Sequence, residues 1–171
     1  MHSDADVYEG QWDNDKANGY GIYYYTDGAI YQGEWKEDKQ DGYGTEHWQD
    51  ESQYQGQYSN GKKEGFGIFK WSDGSSYEGQ FLNNNIDGEG TYKWADGRLY
   101  RGTWNGNKMN GYGQFYWPDG RAYEGQYLND KKHGEGEFRW PDGSVYNGQW
   151  QNGKQHGTGV VSGKNNTIKR G

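Results

Sequence analysis

Three kinds of residue in this 171-residue chain could do chemistry: carboxylates recurring in Asp-Gly pairs, histidines, and glycines arranged as Gly-x-Gly. Asp27, Asp73, Asp96, Asp119 and Asp142 each precede a glycine. A catalytic pair of acids needs unlike surroundings that drive the two pKa values apart, and a repeated turn offers every copy the same one. Aspartate in that place serves the turn itself, so no catalytic acid is assigned. Of the four histidines only His133 and His156 stand at equivalent places, and no cysteine accompanies them. A metal needs more ligands than that, and none is expected. Gly-x-Gly cradles a phosphate when it opens a helix whose N-terminus receives the anion, and helical periodicity is missing from the whole sequence. The residue types therefore predict neither an enzyme nor a cofactor.

Two columns of residues remain that could bind rather than react, and a strict period places both. A tyrosine recurs at Tyr8, Tyr31, Tyr54, Tyr77, Tyr100, Tyr123 and Tyr146, always 23 residues apart. Counting from it, glycine fills the third, twelfth and fourteenth places in all seven copies, which accounts for 21 of the 31 glycines. The fifth place is always aromatic: Trp12, Trp35, Tyr58, Phe81, Trp104, Tyr127 and Trp150. A closing aromatic stands at Tyr25, Trp48, Trp71, Trp94, Trp117 and Trp140, ahead of Asp-Gly in five copies and of Asp50-Glu51 in the second. Self-similarity at such a period marks a repeat architecture.

This pattern of Tyr-x-Gly-x-aromatic, Gly-x-Gly and aromatic-x-Asp-Gly resembles the MORN (membrane occupation and recognition nexus) repeat, over about Tyr8 to Val161. The resemblance implies scaffold arrays in ciliary radial spokes, parasite cytoskeleton and membrane junctions, and arrays fused to lipid kinases or a SET methyltransferase. It also implies association of such arrays through their C-terminal end.

Composition agrees with a repeat that buries surface locally. Leu, Ile and Val number 12 against 31 Phe, Trp and Tyr, so ring-on-ring and ring-on-glycine packing must replace an aliphatic interior. The formal charge of −7 is uneven: residues 1–53 hold three basic and thirteen acidic side chains, the remainder fifteen and twelve. An acidic body is a poor nucleic-acid binder, because phosphate contacts dominate that affinity. Without cysteine, a leader-like N-terminus or an apolar run long enough to span a bilayer, a cytoplasmic setting is expected, extending by resemblance to the cytoskeleton or the ciliary axoneme.

Each unit reads as a β-hairpin, with a first strand at Tyr-x-Gly-x-aromatic, a polar tip such as Asn129-Asp130-Lys131-Lys132, and a second strand from Gly-x-Gly to the closing aromatic. The expected fold is all-β: an elongated single-layer antiparallel ribbon of seven 23-residue hairpins, curved into a trough. Residues 1–7 read as the tail of a preceding repeat or an N-terminal cap, 8–161 as seven repeats, and 162–171 as a C-terminal cap or the start of an eighth; the chain is either capped there or cut from something longer. Alternation puts the opening tyrosine, the glycines, the fifth-place aromatic, the sixteenth-place residue and the closing aromatic on one face, and leaves the opposite face polar.

On that face the candidate groove for a partner is lined by Trp48, Phe69, Trp71, Tyr92, Trp94, Phe115, Trp117, Phe138 and Trp140, since a single layer has no second layer to cover the closing rings. The expected partner is a helical peptide segment. The second column is the lysine stripe at the hairpin tips, including Lys62, Lys108, Lys131 and Lys154, which suits anionic lipid headgroups. Three functions compete: a non-catalytic protein-interaction scaffold, a lipid or phosphoinositide binder, and the regulatory array of a larger enzyme. A homodimer through the C-terminal end is a further expectation, resting on Val160, Val161 and Ile168.

Overall fold

The computed structural model describes residues 5–163, and these form fourteen β-strands and no helix. They divide between Asn85 and Ile86 into two compact units. The first contains β1 (Val7–Asp13), β2 (Lys16–Tyr24), β3 (Ile30–Lys36), β4 (Lys39–His47), β5 (Gln53–Ser59), β6 (Lys62–Lys70) and β7 (Ser76–Leu82). The second contains β8 (Asn85–Lys93) from its second residue on, β9 (Leu99–Asn105), β10 (Lys108–Tyr116), β11 (Ala122–Leu128), β12 (Lys131–Arg139), β13 (Val145–Gln151) and β14 (Lys154–Ser162). Within each unit every strand pairs antiparallel with its neighbours in the chain. Ile168 and the rest of 164–171 lie outside the described residues.

Two alternating turns drive this topology. The tip of each hairpin is tighter than the four-residue polar tip expected, because the lysine after it already belongs to the second strand. Only two residues turn the chain, both with positive φ: Asn129 and Asp130 at 48° and 71°, Asn83 and Asn84 at 50° and 69°. That is the turn whose twist matches flanking antiparallel strands, and Asn, Asp and Gly tolerate it best. The Asp-Gly loops join one hairpin to the next. In the first, the Gly28 N–H donates to Tyr25 O at 3.0 Å and Tyr25 N–H to Ala29 O at 2.9 Å, with Gly28 at φ 95°. Glu51 takes that glycine's place at φ 75° in the second repeat.

Between the turns, glycines lie opposite glycines. In the second unit Gly90 pairs with Gly102, Gly102 with Gly113, Gly113 with Gly125, Gly125 with Gly136, Gly136 with Gly148 and Gly148 with Gly159. The first unit has the same line from Gly10 to Gly79. The opening tyrosine ring lies on this bare backbone: a Cβ built on Gly113 would sit 2.2 Å from the Tyr100 hydroxyl and 2.4 Å from its ring carbons. The same hydroxyl donates to the backbone carbonyl three residues on, at 2.7–3.0 Å in all seven repeats. Tyr31, Tyr54, Tyr77, Tyr100 and Tyr123 are accordingly the largest fully buried side chains.

In five repeats the fifth-place aromatic meets two of these tyrosines edge-on, its own and that of the preceding repeat. Tyr127, for example, lies 5.2 Å from Tyr123 and 5.2 Å from Tyr100, at 83° and 85°. Such T-shaped pairs add about 0.5–1.5 kcal/mol beyond the area they bury. In three repeats this residue is a tryptophan whose indole N–H donates across the sheet, Trp35 Nε1 to Gly21 O at 3.1 Å, Trp104 Nε1 to Gly90 O at 3.2 Å and Trp150 Nε1 to Gly136 O at 3.1 Å.

The twelfth-place glycine has a different task from the one alternation gives it. Gly10 pairs with Gly21 but Trp12 with Ala17, so Gln11 alone faces Asn18, Gly19 and Tyr20. Gly19 takes φ 85° in this bulge, and Gln11 Oε1 fills it by accepting the Tyr20 N–H at 2.7 Å. Gln57 and Gln126 repeat the bond at 2.7 and 2.8 Å. The fourth-place side chain thus satisfies an amide that the bulge takes out of the ladder.

The two glycine roles give a test. Gly113→Ala places a methyl inside the Tyr100 ring and is expected to cost about 2 kcal/mol or more, as overpacking in a rigid core does. Tyr100→Phe removes only the hydroxyl bond, leaving the Thr103 carbonyl to find another donor, and should cost about 1 kcal/mol. Urea unfolding followed by tryptophan fluorescence checks both, and the reverse order would contradict ring-on-glycine packing.

Candidate functional site

The sixteenth-place and closing rings extend beyond the tyrosine layer and pack on one another. In the second unit they form an unbroken series: Tyr92 to Trp94 at 4.6 Å, Trp94 to Phe115 at 5.2 Å, Phe115 to Trp117 at 4.4 Å, Trp117 to Phe138 at 5.5 Å and Phe138 to Trp140 at 4.8 Å. In the first unit Trp48 stacks on Phe69 at 5.4 Å and 23°, and Phe69 meets Trp71 at 4.5 Å. All nine groove residues proposed from sequence therefore belong to these two series. The five tryptophans are half-buried rather than bare, because each has ring neighbours and several carry a cation.

The first-unit series stops at Glu46, which holds the sixteenth place where five of the other repeats have a ring. Tyr58 Oη donates to Glu46 Oε1 at 2.6 Å, and burial together with the Glu46 charge pushes the Tyr58 phenol far up. Beyond this break Tyr23 and Tyr25 form a separate pair at 4.5 Å. Burial and the Glu46 charge raise the Tyr25 phenol to about 12, so it stays neutral in its bond from Gln40 Nε2 at 2.9 Å.

Cations lie on the rings. Arg98 rests 5.0 Å above Trp94 and Arg121 5.1 Å above Trp117, each reaching there from the residue after an Asp-Gly pair. Lys63 Nζ lies 5.3 Å from Trp48 and 5.3 Å from Tyr54. Lys132 Nζ lies 5.4–5.7 Å from four rings, Trp117, Tyr123, Phe138 and Trp150. Burial lowers the pKa of both lysines. A cavity of about 260 Å³ in the second unit is lined by Trp94, Arg98, Phe115, Trp117 and Lys132 among others.

Sequence reasoning missed these lysines by attending to the tip column. Lys62, Lys108, Lys131 and Lys154 begin their second strands and are exposed; of the four, Lys131 also lines the cavity. Lys63 and Lys132 stand one place later, in a column shared with Ala17, Ile86 and Met109, all buried. Those apolar members were the available signal that the column points inward. The opposite face also differs from the polar surface expected, since Tyr20, Tyr43, Phe66 and Tyr112 are exposed there at one place of the repeat. Among the described residues no group of His, Asp or Glu is arranged to hold a metal ion, and no helix is long and apolar enough to cross a membrane.

A family model described as MORN repeat matches this chain seven times, at residues 8–30, 31–53, 54–76, 77–97, 100–120, 123–145 and 146–168. None of the curated proteins matches it. Among solved structures, the TCP domain of SAS-4 (dCPAP) from Drosophila melanogaster, in complex with a proline-rich motif of Ana2 (dSTIL), is similar with a TM-score of 0.52 and 12% identity, covering 89% of this chain and 83% of that one. The TCP10 domain of CPAP from Danio rerio, in complex with a STIL peptide, has a TM-score of 0.47 and 12% identity over 88% of this chain and 71% of that one. At such identity the likeness to SAS-4 is one of fold.

The turn carboxylates accept hydrogen bonds within their own loops. Asp73 Oδ1 accepts from Ser75 N–H at 2.8 Å and Ser75 Oγ at 2.6 Å. Asp119 accepts from Arg121 N–H at 3.0 Å and Arg121 Nε at 2.8 Å. Hydrogen bonds from the residue two places on hold Asp50, Asp73, Asp96 and Asp119 below the usual carboxylate range. A carboxylate lowered on folding contributes stability that is present above its unfolded pKa of about 4 and is lost as pH falls through the folded value. Asp73→Asn together with Asp119→Asn should therefore flatten the fall of the urea midpoint between about pH 4 and pH 2. An unchanged slope would show that these turns contribute nothing to acid sensitivity.

Proposed function

The chain belongs to the MORN repeat family, and from that premise we propose that it is a non-catalytic interaction module that docks a partner polypeptide on its aromatic groove. The observation that carries this reading is the continuous series of rings from Tyr92 to Trp140, in which Tyr92 and the three tryptophans are half-buried and Phe115 and Phe138, placed in the groove lining by sequence, are buried between them. Tryptophans held in a row and only half-buried, beside a cavity, are the features of a binding surface rather than of a closed core. The SAS-4 domain, which shares the fold, is in complex with a proline-rich motif, and this supports a polypeptide as the kind of ligand such a sheet receives. A cytoplasmic, cytoskeletal or axonemal assembly is the setting that the family favours.

A helical segment suits the spacing. Two strands at ~4.8 Å advance each repeat by ~10 Å, and a helix rising ~1.5 Å per residue covers this in six to seven residues. One apolar residue per heptad then meets each successive closing ring. Lipid binding is the second reading, favoured by the exposure of Lys108, Lys131 and Lys154; it calls for steep salt dependence and loss of binding when these three are reversed. Self-association through the C-terminal end is proposed as well, since Val160 is exposed on β14, whose only strand partner among the described residues is β13.

Two experiments test these readings. Trp94→Ala and Trp117→Ala, with circular dichroism as the folding control, should each weaken partner binding about thirtyfold or more, whereas Lys108→Glu should matter little. Loss of binding with Lys108→Glu and normal binding by the tryptophan variants would make the tips the working surface. For self-association, sedimentation at several concentrations should show a dimer that deletion of residues 160–171 abolishes; a monomer under all conditions contradicts it.

A further inference from the structure

Lys63 and Lys132 occupy the same place in repeats three and six, yet their charges are met differently. That place is uncharged in the other repeats, Gln40 and Gln155 in two and apolar in three, where Ile86 and Met109 fill it with 7% and 8% exposure. A lysine there must lay its stem along the core and leave its ammonium against the rings, where loss of hydration disfavours the charge. In the first unit the protein offsets this itself, because Glu46 replaces the sixteenth-place ring and its charge favours the Lys63 ammonium. In the second unit the equivalent place, the sixteenth of the preceding repeat, is Phe115. The charge that Lys132 feels instead is that of Arg121, which has the same sign.

No acceptor among the described residues makes good this deficit. Lys132 has ring contacts only, and among those residues it makes no ion pair. Arg121 and Arg98 spend their Nε on Asp119 and Asp96 at 2.8 and 2.9 Å, and among the described residues neither guanidinium gives an Nη to an acceptor. Asp130 lines the same cavity, but its Oδ1 accepts the Met109 N–H at 2.8 Å. The cavity thus presents Arg98, Lys131 and Lys132 over an aromatic floor, with its one acid already bonded to the backbone.

We propose that the second-unit groove takes an acidic segment, in which an Asp or Glu carboxylate of the partner lies beside its apolar anchor and is received by Lys132 and Arg121. The inference rests on the groove reading above and adds the chemistry of the partner to it. Cation–π contact stabilises an ammonium without filling its hydrogen bonds, so a carboxylate arriving with the anchor completes both the charge and the donors. The rings supply burial, and the cations select against basic segments of the same apolar pattern.

The experiment is a selection of displayed random peptides on the full chain, repeated on three variants. Lys132→Met copies Met109 and so keeps the packing; Lys132→Arg keeps the charge; Trp117→Ala removes the floor. Enriched peptides should carry Asp or Glu next to an apolar or aromatic residue. Synthetic copies should lose about tenfold or more in affinity on Lys132→Met, and by a similar factor when their acid is changed to the amide. The two changes together should cost little more than either alone, and Lys132→Arg should retain binding. Peptides without acids, acidic peptides indifferent to Lys132→Met, or no enrichment at all would overturn the proposal. If Trp117→Ala abolishes binding and Lys132→Met does not, the groove reading stands and this inference falls. If neither variant changes binding, both fall. Phosphatidylserine vesicles form the control arm: their binding, relieved by Lys132→Met while no acidic peptide enriches, would assign the anion to a headgroup and overturn the proposal.

Discussion

A tyrosine ring lying on a line of paired glycines is the contact on which everything else in this protein depends. Because glycine lacks Cβ, the ring reaches the backbone directly, as the 2.2–2.4 Å separations at an imagined Gly113 Cβ demonstrate. Its hydroxyl then finds the carbonyl three residues on. One side chain so covers two strands, satisfies its own polar atom and offers its edge to two further rings. A chain with few aliphatic residues can be ordered in this way without a second layer.

That solution is one-sided, and its consequences include the candidate site. The glycine line absorbs the opening tyrosine and, through it, the fifth-place aromatic. The sixteenth-place and closing rings are left to pack on one another at the border of the covered surface. There the arginines after the Asp-Gly turns and the lysines at the tenth place reach over them. A surface combining partly buried rings with cations that the protein does not fully neutralise is suited to recognition, and the same turns that build the fold deliver its charges.

Much of this was legible in the sequence, because the repeat turns single residues into columns. The period of Tyr8 to Tyr146 gave the hairpins, and alternation placed Tyr31, Gly33 and Trp35 together on the buried face, as observed. What periodicity alone could not convey was local departure from alternation. The bulge at Gly19 gives its glycine a positive φ and makes Gln11 a backbone clamp, whereas Gly21, two residues on, serves the tyrosine. Nor does a column report that one member differs in function: Lys132 was passed over beside Lys131, because only packing separates a lysine that points to solvent from one laid on four rings.

The central claim is that the closing rings, and not the fifth-place rings or the hairpin tips, form the working surface. The nine tryptophans allow it to be examined directly, by following the indole N–H signals of the ¹⁵N-labelled chain as a selected peptide binder is added. Trp94, Trp117 and Trp140 should shift or broaden, while Trp35, Trp104 and Trp150, whose indoles are bonded to glycine carbonyls, should keep their positions. Saturable binding that leaves Trp94, Trp117 and Trp140 unmoved would contradict the account.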